Sequence, residues 1–547
     1  MQEEYVKPLF IKALDRIGII GEIPLVFEVP KNPDYGDLST NIAMRLAKQM
    51  KTPPLELAKR IIENLDVDYT IVEALSVANP GFINIRFSKK FYFYALKRIL
   101  ETGEEYGRST KGKGKRANVE YVSVNPTGLL HLGHGRNAAI GDTIANLYEW
   151  LGWDVTREYY FNNAGNQMNN LARSVFARYR QLLGESDYPF PEDGYHGDYI
   201  KDIADELIKN YANSLFEENK DNLQVCRKFA ENWCFDKIRN TLARMGIHQD
   251  IYFNEDSLYA DGKIAQVIED LEAKSIVYEK DGALWLALSK LGLSDDRVIV
   301  KSTGEPTYRL PDIAYHREKY NRGYDLLVDV LGADHIATVP DVLAALKALG
   351  YDTGKLVVLF HQFVTLTEAG EQVKMSKRSG KVYTLDDLLD EVGADVVRFF
   401  LLMRGISTHL EFDLALAREQ SEKNPVFYLQ YAHARICSVF ENAKEKAIEL
   451  AENPNLSLLE TTYEIDLIKY LIKFPEIILN AAEKFEIQII PEYLRELAQA
   501  FHSFYHECRI ISVEEQLQQA RLWLCKATKT VLRNGLSILG ITAPERM

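Results

Sequence analysis

Cysteine is scarce in this sequence, which has five in 547 residues. They form no C-x-x-C pair and no zinc-binding spacing, and they are Cys226, Cys234, Cys437, Cys508 and Cys525. The sequence therefore predicts neither a disulfide scaffold nor a structural metal. Long apolar runs are missing too, because no stretch approaches the roughly 18 residues that a membrane-spanning helix requires. The acidic start M-Q-E-E-Y is unlike a secretory leader, and we expect a cytoplasmic protein.

Positive charge is in deficit, with a formal net charge of −14. Proteins that coat nucleic acid gain affinity by neutralising phosphates, so this balance argues against such a role while permitting local basic patches. With 46% hydrophobic residues the chain has enough apolar side chains for packed cores. Its length suits about three or four domains.

Residues 117 to 153 combine a strand pattern, a glycine turn and a helix pattern. The β-favouring run stops at Asn125-Pro126, and apolar residues at spacings of three and four predict a helix from near Asn137. The segment between them contains His131, Gly133, His134 and Gly135. A glycine turn that leads into a helix presents free N–H groups and the positive end of the helix dipole, so this segment predicts a phosphate site.

Three interpretations of this segment stay open on its own residues. Gly133, Gly135 and Ala138 match the dinucleotide fingerprint G-x-G-x-x-A, with Glu158 as the ribose carboxylate. Alternatively, the two histidines face a nucleotide phosphate and the glycines let the nucleotide lie close to the backbone. The third interpretation is an ordinary strand-to-helix connection.

The middle of the chain alternates strand and helix patterns, which predicts a doubly wound parallel sheet. The predicted strands lie at 154–161, 297–301, 325–331 and 356–360, with helices at 313–320 and 339–349. Residues 166 to 292 are predicted to be a largely helical insertion. Such a sheet binds ligands beyond the carboxyl ends of its strands, which here include Asn125, residues 332–335 and Gln362.

The flanking regions differ from this pattern. The first hundred residues predict an α+β module with a helix at 35–48 and a strand, turn and strand around Asn79-Pro80-Gly81. Phe82 and Asn84 follow that turn as candidates for contact with an unpaired base, or as ordinary core residues. Residues 101–115 predict a solvated linker. From about Asp413 the chain is predicted to be helical, with Ser512 and Glu515 as a capping box.

A basic loop follows the last predicted strand of the sheet. Lys374, Met375, Ser376 and Lys377 form K-M-S-K, with Arg378 and Lys381 beside it. By composition this is a basic surface turn. Its combination with H-L-G-H on the other half of one sheet is a much narrower coincidence, and it favours a loop that closes on a polyphosphate.

These motifs resemble those of the class I aminoacyl-tRNA synthetases, whose signatures are H-L-G-H and K-M-S-K. Longer segments are more specific, namely V-N-P-T-G-L-L-H-L-G-H-G-R-N-A, G-Y-H-G-D-Y-I, T-Y-R-L-P-D-I-A-Y-H, N-P-V-F-Y-L-Q-Y-A-H-A-R and L-G-I-T-A-P-E-R-M. Through them the whole chain resembles the arginyl-tRNA synthetase family.

The resemblance implies an α/β multidomain fold. Residues 1–112 would form an α+β domain that binds the tRNA D-loop, and residues 113–412 a catalytic domain with a Rossmann-type parallel sheet and a helical insertion at about 170–292. Residues 413–547 would form an all-α anticodon-binding domain. The implied reaction attaches L-arginine to tRNA(Arg) through an arginyl-adenylate, using ATP with Mg²⁺, and the family habit is a monomer.

The resemblance also implies roles for individual residues. The residues at the ATP phosphates would be His131, His134, Lys374 and Lys377, and the other ATP-binding residues Gly133, Asp334, His335, Met375 and Ser376. Arginine would contact Asn125, Glu255, Tyr308 and Asp312, of which Tyr308 and Asp312 lie one helical turn apart. The tRNA would contact Asn79, Phe82, Asn84, Tyr505 and Met547. The remaining alternatives are a smaller nucleotidyltransferase, a non-catalytic tRNA-binding paralogue and a dehydrogenase.

Overall fold

The computed structural model describes residues 1–21, 23, 25–373 and 383–547. Its first elements form an α+β module. They are α1 (Gln2–Arg16), β1 (Leu38–Thr40), α2 (Ile42–Met50), α3 (Pro54–Glu63), β2 (Val72–Ala78), β3 (Phe82–Phe87) and α4 (Lys89–Thr102). The strands pair antiparallel in the order β1-β3-β2.

The strand, turn and strand predicted in this module are confirmed as β2 and β3. In β3 the alternate residues Ile83, Ile85 and Phe87 are buried, as the two-residue period of a strand requires. The helix predicted at 35–48 is wrong at its start, because β1 occupies Leu38–Thr40 and pairs with β3. Strand pairing overrides the helical spacing of those residues.

The next part of the chain builds the central sheet and the helices around it. Its first half consists of β4 (Arg116–Glu120), α5 (Leu132–Trp150), β5 (Asp154–Phe161), α6 (Gly165–Leu182), α7 (Tyr199–Tyr211), α8 (Lys220–Arg244), β6 (Ile251–Asn254), α9 (Asp256–Ala260), α10 (Lys263–Ala273), β7 (Val277–Lys280), β8 (Ala283–Leu286) and β9 (Arg297–Val300). Its second half consists of α11 (Arg309–Asn321), β10 (Leu326–Gly332), α12 (Val339–Ala348), β11 (Leu356–His361), β12 (Val364–Glu368), β13 (Glu371–Gln372), α13 (Leu385–Val392), α14 (Ala394–Leu402), β14 (Leu410–Asp413) and α15 (Leu414–Arg418).

The predicted doubly wound sheet is confirmed. Its strands run parallel in the order β11-β10-β4-β5-β6. The chain winds outward from β4 through β5 to β6 and then returns to the other side of β4 through β10. The crevice beyond β4 and β10 is therefore the switch point at which such sheets bind ligands.

Two predictions for this part of the chain are only partly confirmed. Residues 166–292 are largely helical, as predicted, but they also contain the hairpin strands β7 and β8 and the strand β6, which joins the central sheet. Strand β6 has only four residues, too few to show a two-residue period. The strand predicted at 297–301 exists as β9, but it belongs to a separate antiparallel sheet with β7 and β8.

The last elements form a helical bundle of α16 (Pro425–Glu445), α17 (Thr462–Lys484), α18 (Ile489–Glu507) and α19 (Glu515–Ile538). The capping box predicted at Ser512 and Glu515 is wrong. Glu514 is the N-cap of α19, and its carboxylate accepts from the backbone N–H groups of Gln516 and Leu517. Among the described residues, no helix is long and apolar enough to cross a membrane.

Most residues of 101–115 are exposed, as a solvated linker requires, but the part around Tyr106 is packed against other elements. Tyr106 is 4% exposed, and its hydroxyl donates to the carbonyl of Leu471 at 3.1 Å. The Asn534 amide donates to the carbonyls of Glu104 and Tyr106 at 3.1 and 3.0 Å. The part of the chain around Tyr106 is therefore a packed joint between the N-terminal module and the helical bundle. The many glycines and lysines of 101–115 favour a solvated segment, so the burial of Tyr106 was not predicted.

A buried arginine joins three parts of the chain. Arg398 donates to the Asp142 carboxylate on α5 at 2.6 Å, to the carbonyl of Leu539 at 2.7 Å and to that of Met245 at 2.9 Å. Its side chain is 1% exposed. The end of α19 is thereby attached to α5, the helix that starts at the H-L-G-H segment.

Candidate active site

The H-L-G-H segment forms the first turn of α5. His131 is the N-cap, and its Nδ1 accepts from the Gly133 N–H at 3.1 Å. His134 Nδ1 accepts from the His131 N–H at 3.3 Å, which completes a reciprocal capping box. The helix therefore begins at Leu132 and not near Asn137, as the apolar spacing had predicted. Histidine caps are uncommon, so this helix start is hard to predict from the residue pattern.

The caps fix the protonation of both imidazoles. Each Nδ1 accepts a backbone proton, so the ring proton lies on Nε2. Burial, with the neighbouring His131 and His361, lowers the pKa of His134 to about 3, and burial also lowers the pKa of His131. The site therefore holds two neutral Nε2–H donors at a helix N-terminus, an arrangement suited to anionic oxygens.

The glycines of the segment serve the protein's own packing. A Cβ on Gly135 would lie 2.8 Å from the Leu385 side chain, and one on Gly133 3.2 Å from Nδ1 of His131. Gly135 is buried, so the expectation that it lets a nucleotide approach the backbone is wrong. It lets α13 pack against α5 instead.

Strained backbone connects β4 to this helix. The strand ends at Glu120, and Val122 and Ser123 follow with φ of 69° and 44°. Left-handed φ on a β-branched residue costs about 1 to 3 kcal/mol and is typical of functional sites. Asn137 on α5 stabilises the turn by accepting from the Val122 N–H at 2.7 Å and donating to the Val330 carbonyl at 2.8 Å. The bend explains why the predicted strand did not extend to Asn125.

Asn125 lies where this turn meets the end of β5. Its Oδ1 accepts from the Asn162 N–H at 2.9 Å, and its Nδ2 donates to Gln167 at 3.1 Å. It therefore connects the carboxyl end of β5 to the start of α6. The position agrees with a place at the ligand-binding edge of the sheet.

Glu158 does not match the dinucleotide interpretation. It is fully buried, and Arg322 donates to its carboxylate in a bidentate pair at 2.8 and 2.9 Å. Asn118 and Tyr315 donate to it as well, at 2.6 and 3.1 Å. With its acceptor positions used by the protein, Glu158 has no role at a ribose.

Two predicted acids come together at the ends of β6 and α11. Glu255 follows β6, is 6% exposed, and accepts from Tyr160 and, at 2.7 Å, from Asn162. Burial raises the pKa of Glu255. Burial, together with the charges of Glu120 and Glu255, raises the pKa of Asp312 to about 6, although His316 opposes the shift. The charge of Glu255 thus disfavours a second negative charge on Asp312, and a cationic ligand would relieve this repulsion.

The neighbourhood of these acids includes residues that no sequence motif predicts. Tyr160 and Asn162 lie at the end of the predicted strand 154–161, and a polar residue at a strand end was the available signal. His361 ends β11 and acts electrostatically on His134. Tyr308, by contrast, is 77% exposed at the N-cap of α11. In the described part of the chain, no hydrogen bond reaches the carboxylate of Asp312.

The other predicted ATP residues are only partly placed. Asp334 and His335 follow β10 on the exposed side of the crevice, with the His335 Nε2 3.8 Å from the Asp334 carboxylate. Lys374, Met375, Ser376 and Lys377 lie outside the described residues. No group of three or more His, Cys, Asp or Glu is placed to hold a metal within the described ranges.

The predicted tRNA contacts lie in the two end modules. Asn79 is exposed and Phe82 half-buried, but Asn84 is 4% exposed and accepts from the Ser39 hydroxyl at 2.8 Å. A direct contact of Asn84 with a base is therefore not supported, because its amide belongs to the sheet. Tyr505 is 40% exposed under the Arg435 guanidinium, and Met547 is 54% exposed.

Sequence comparisons agree with this arrangement. The model of the catalytic domain of class I tRNA synthetases (R) matches residues 95–398, so the sheet and its H-L-G-H helix are those of a class I aminoacyl-tRNA synthetase. The arginyl tRNA synthetase N-terminal domain matches residues 4–87, and the DALR anticodon binding domain residues 429–547. The chain belongs to the arginyl-tRNA synthetase family.

Relatives that match over the full length are arginine–tRNA ligases. The arginine–tRNA ligase of Salinibacter ruber is 48% identical over 100% of both chains. That of Desulfotalea psychrophila is 49% identical over 95% of this chain and 94% of its own. The Thermus thermophilus arginyl-tRNA synthetase structure superposes with a TM-score of 0.79 at 22% identity, over 100% of both chains, and so shares the fold.

Proposed function

We propose that this chain attaches L-arginine to tRNA(Arg) in two steps. A carboxylate oxygen of arginine bonds to the α-phosphorus of ATP while the bond to the pyrophosphate oxygen breaks, which yields arginyl-adenylate and pyrophosphate. A hydroxyl of the 3′-terminal adenosine of tRNA then attacks the arginyl carbonyl, and AMP leaves. The observation that carries the proposal is that neutral donors at the start of α5 and the acids Glu255 and Asp312 belong to elements of one parallel sheet.

The donors act on the phosphate. Charge grows on the phosphate oxygens as the bond to pyrophosphate breaks, and donors already in place stabilise that charge without reorganising. His131 and His134 are assigned to the α-phosphate region, with Gly133 between them. ATP enters as its Mg²⁺ complex. Asp334, His335, Met375 and Ser376 complete the nucleotide site, and Lys374 and Lys377 are assigned to the β- and γ-phosphates.

The acids select the amino acid. A guanidinium is planar and permanently charged, and it pairs bidentately with a carboxylate in a way that an ammonium does not. Asp312 and Glu255 are assigned to this group and Tyr308 to the rim of the pocket, while Asn125 holds the polar backbone of the substrate. A lysine would leave buried acceptors unpaired, at a cost of about 1 to 3 kcal/mol for each group.

The end modules are assigned to tRNA. We divide the chain into a D-loop-binding domain at 1–112, a catalytic domain at 113–412 and an anticodon-binding domain at 413–547. Asn79, Phe82, Tyr505 and Met547 are assigned to tRNA contacts, and Asn84 supports the strand that carries Phe82. The chain acts as a cytoplasmic monomer.

One assay separates this function from its competitors. Purified protein is incubated with ATP, Mg²⁺, tRNA and each of arginine and lysine, and aminoacyl-tRNA is counted. We expect charging with arginine alone, and pyrophosphate exchange that depends on both arginine and tRNA. Binding of tRNA without charging would identify a non-catalytic paralogue, and adenylyl transfer to a small acceptor without tRNA would identify a smaller nucleotidyltransferase. Oxidation of a substrate with a nicotinamide cofactor would identify a dehydrogenase.

A further inference from the structure

His316 lies one turn after Asp312 on α11 and faces an acceptor on each side of its ring. Nδ1 is 2.7 Å from the backbone carbonyl oxygen of Asp312. Nε2 is 2.7 Å from Oδ2 of Asp329, which is 1% exposed on β10. A carbonyl oxygen carries no proton, so Nδ1 must donate to it.

The second acceptor is ionised. Lys319 has a fully buried side chain whose Nζ lies 2.6 Å from Oδ1 of Asp329 and also contacts the Glu120 carboxylate. Burial would raise the pKa of Asp329, but the charges of Lys319 and His316 hold it below its usual range. Both ring nitrogens of His316 therefore donate, and the ring is an imidazolium.

The four charged groups around His316 have no net charge when Asp312 is not counted. Glu120 and Asp329 are negative, and Lys319 and His316 are positive. Tyr315, whose ring centroid lies 5.4 Å from that of His316, adds no charge. Burial would lower the pKa of His316, but the charge and hydrogen bond of Asp329 and the charge of Glu120 outweigh burial and the opposing charge of Lys319, and raise it.

The positive charge of His316 favours the ionised form of Asp312. Burial, together with the charges of Glu120 and Glu255, raises the pKa of Asp312 to about 6 against the opposing influence of His316 and His335. Of these two histidines, His316 has the larger influence on Asp312 and belongs to the same helix. His335 lies half-exposed beyond β10.

We propose that His316 is a positioning residue of the amino-acid pocket, held as a buried cation so that Asp312 meets the substrate guanidinium as a carboxylate at neutral pH. This inference rests on the assignment of Asp312 to arginine. Removing the cation should leave Asp312 protonated at pH values where the wild-type group is charged. As the pH is lowered, the affinity for arginine should then decrease at a higher pH than in the wild type.

The pH profile of H316Q tests the proposal. Glutamine keeps an N–H donor for Asp329 and removes the charge. The matched control is H248Q, since His248 is exposed on the turn between α8 and β6. We would measure kcat/KM for arginine by tRNA-dependent pyrophosphate exchange from pH 5.5 to 8.5, at saturating ATP and tRNA.

In H316Q we expect the acidic limb of the pH profile of kcat/KM for arginine to move to higher pH by about one unit. Above pH 8, kcat/KM should be near the wild-type value. H248Q should keep the wild-type limb. A uniform loss at every pH would assign His316 a merely structural role and overturn the inference. A wild-type protein that shows no arginine-dependent exchange would instead overturn the proposed function.

A second measurement uses the unmodified chain and so does not depend on the folding of H316Q. The sequence has 11 histidines, and their ring nitrogens can be observed by ¹⁵N NMR after labelling. We expect one histidine to keep both ring protons at pH 8. If all 11 become neutral by that pH, the buried cation does not exist.

Discussion

The imidazole rings of His131 and His134 stack with their centroids 3.5 Å apart and an interplanar angle of 23°. Each ring is fixed by a backbone N–H of the same helical turn. The stacking keeps both rings at one helix N-terminus, and their low pKa values keep them neutral. Two imidazolium rings at this separation would repel each other, so the pair is built to donate hydrogen bonds without carrying charge.

The two functions of His134 can be separated by substitution. Asparagine can still accept from the His131 N–H, whereas alanine cannot, and neither supplies the outer Nε2–H donor. We expect H134N and H134A to lower kcat for pyrophosphate exchange by about 10²- to 10³-fold, with only H134A losing stability, by about 1 kcal/mol. Near-normal turnover in H134N would restrict His134 to capping.

The second prediction concerns the pocket acid. D312N should lower kcat/KM for arginine by at least about 30-fold, since truncating one partner of a buried charge pair costs about 2 to 5 kcal/mol. The KM for ATP should stay unchanged, and the preference for arginine over lysine should narrow. D261N is the matched control, because Asp261 is exposed at the end of α9. Unchanged values in D312N for both arginine affinity and the arginine-to-lysine ratio would place the pocket elsewhere.

The third prediction concerns Arg398. R398M leaves the Asp142 carboxylate and two carbonyls without this donor, and we expect a loss of about 3 to 5 kcal/mol in the free energy of unfolding in urea. R404M provides the control, because Arg404 is exposed just beyond the same helix. It should change stability by less than about 0.5 kcal/mol. Equal midpoints for the two variants would contradict the role of Arg398.

The fourth prediction separates tRNA binding from chemistry. Y505A should raise the KM for tRNA by about tenfold, in line with the loss of one stacking contact, and should leave the KM for ATP unchanged. Tyr463 is similarly exposed, at 42% against 40%, and lies in the same helical bundle. Y463A should therefore charge tRNA normally. If both variants behave alike, Tyr505 is ordinary surface.

The family and the fold of the central sheet could be predicted from the sequence. The family assignment from H-L-G-H and the longer segments is confirmed, and so is the parallel sheet. The buried cluster around His316 was not predictable, because Glu120 and Lys319 lie 199 residues apart and neither belongs to a local motif. The assignment of individual site residues, including Glu255 and Asp312, stays a prediction.

The errors also have physical causes. Backbone strain at Val122 shortened a strand whose residues favour β structure, and tertiary pairing created β6 from four residues. Neither can be read from propensity, since both depend on partners that are distant in sequence.

The joint around Tyr106 fixes the distance between the N-terminal module and the helical bundle. Lys469 of α17 pairs with Asp37 of the N-terminal module at 2.9 Å, and Asn534 of α19 holds the joint itself. The modules assigned to the elbow and the anticodon of tRNA are therefore braced against each other, and the span between them is set by packed side chains. A rigid nucleic acid that contacted both modules at once would therefore have to present its two contact points at this fixed spacing.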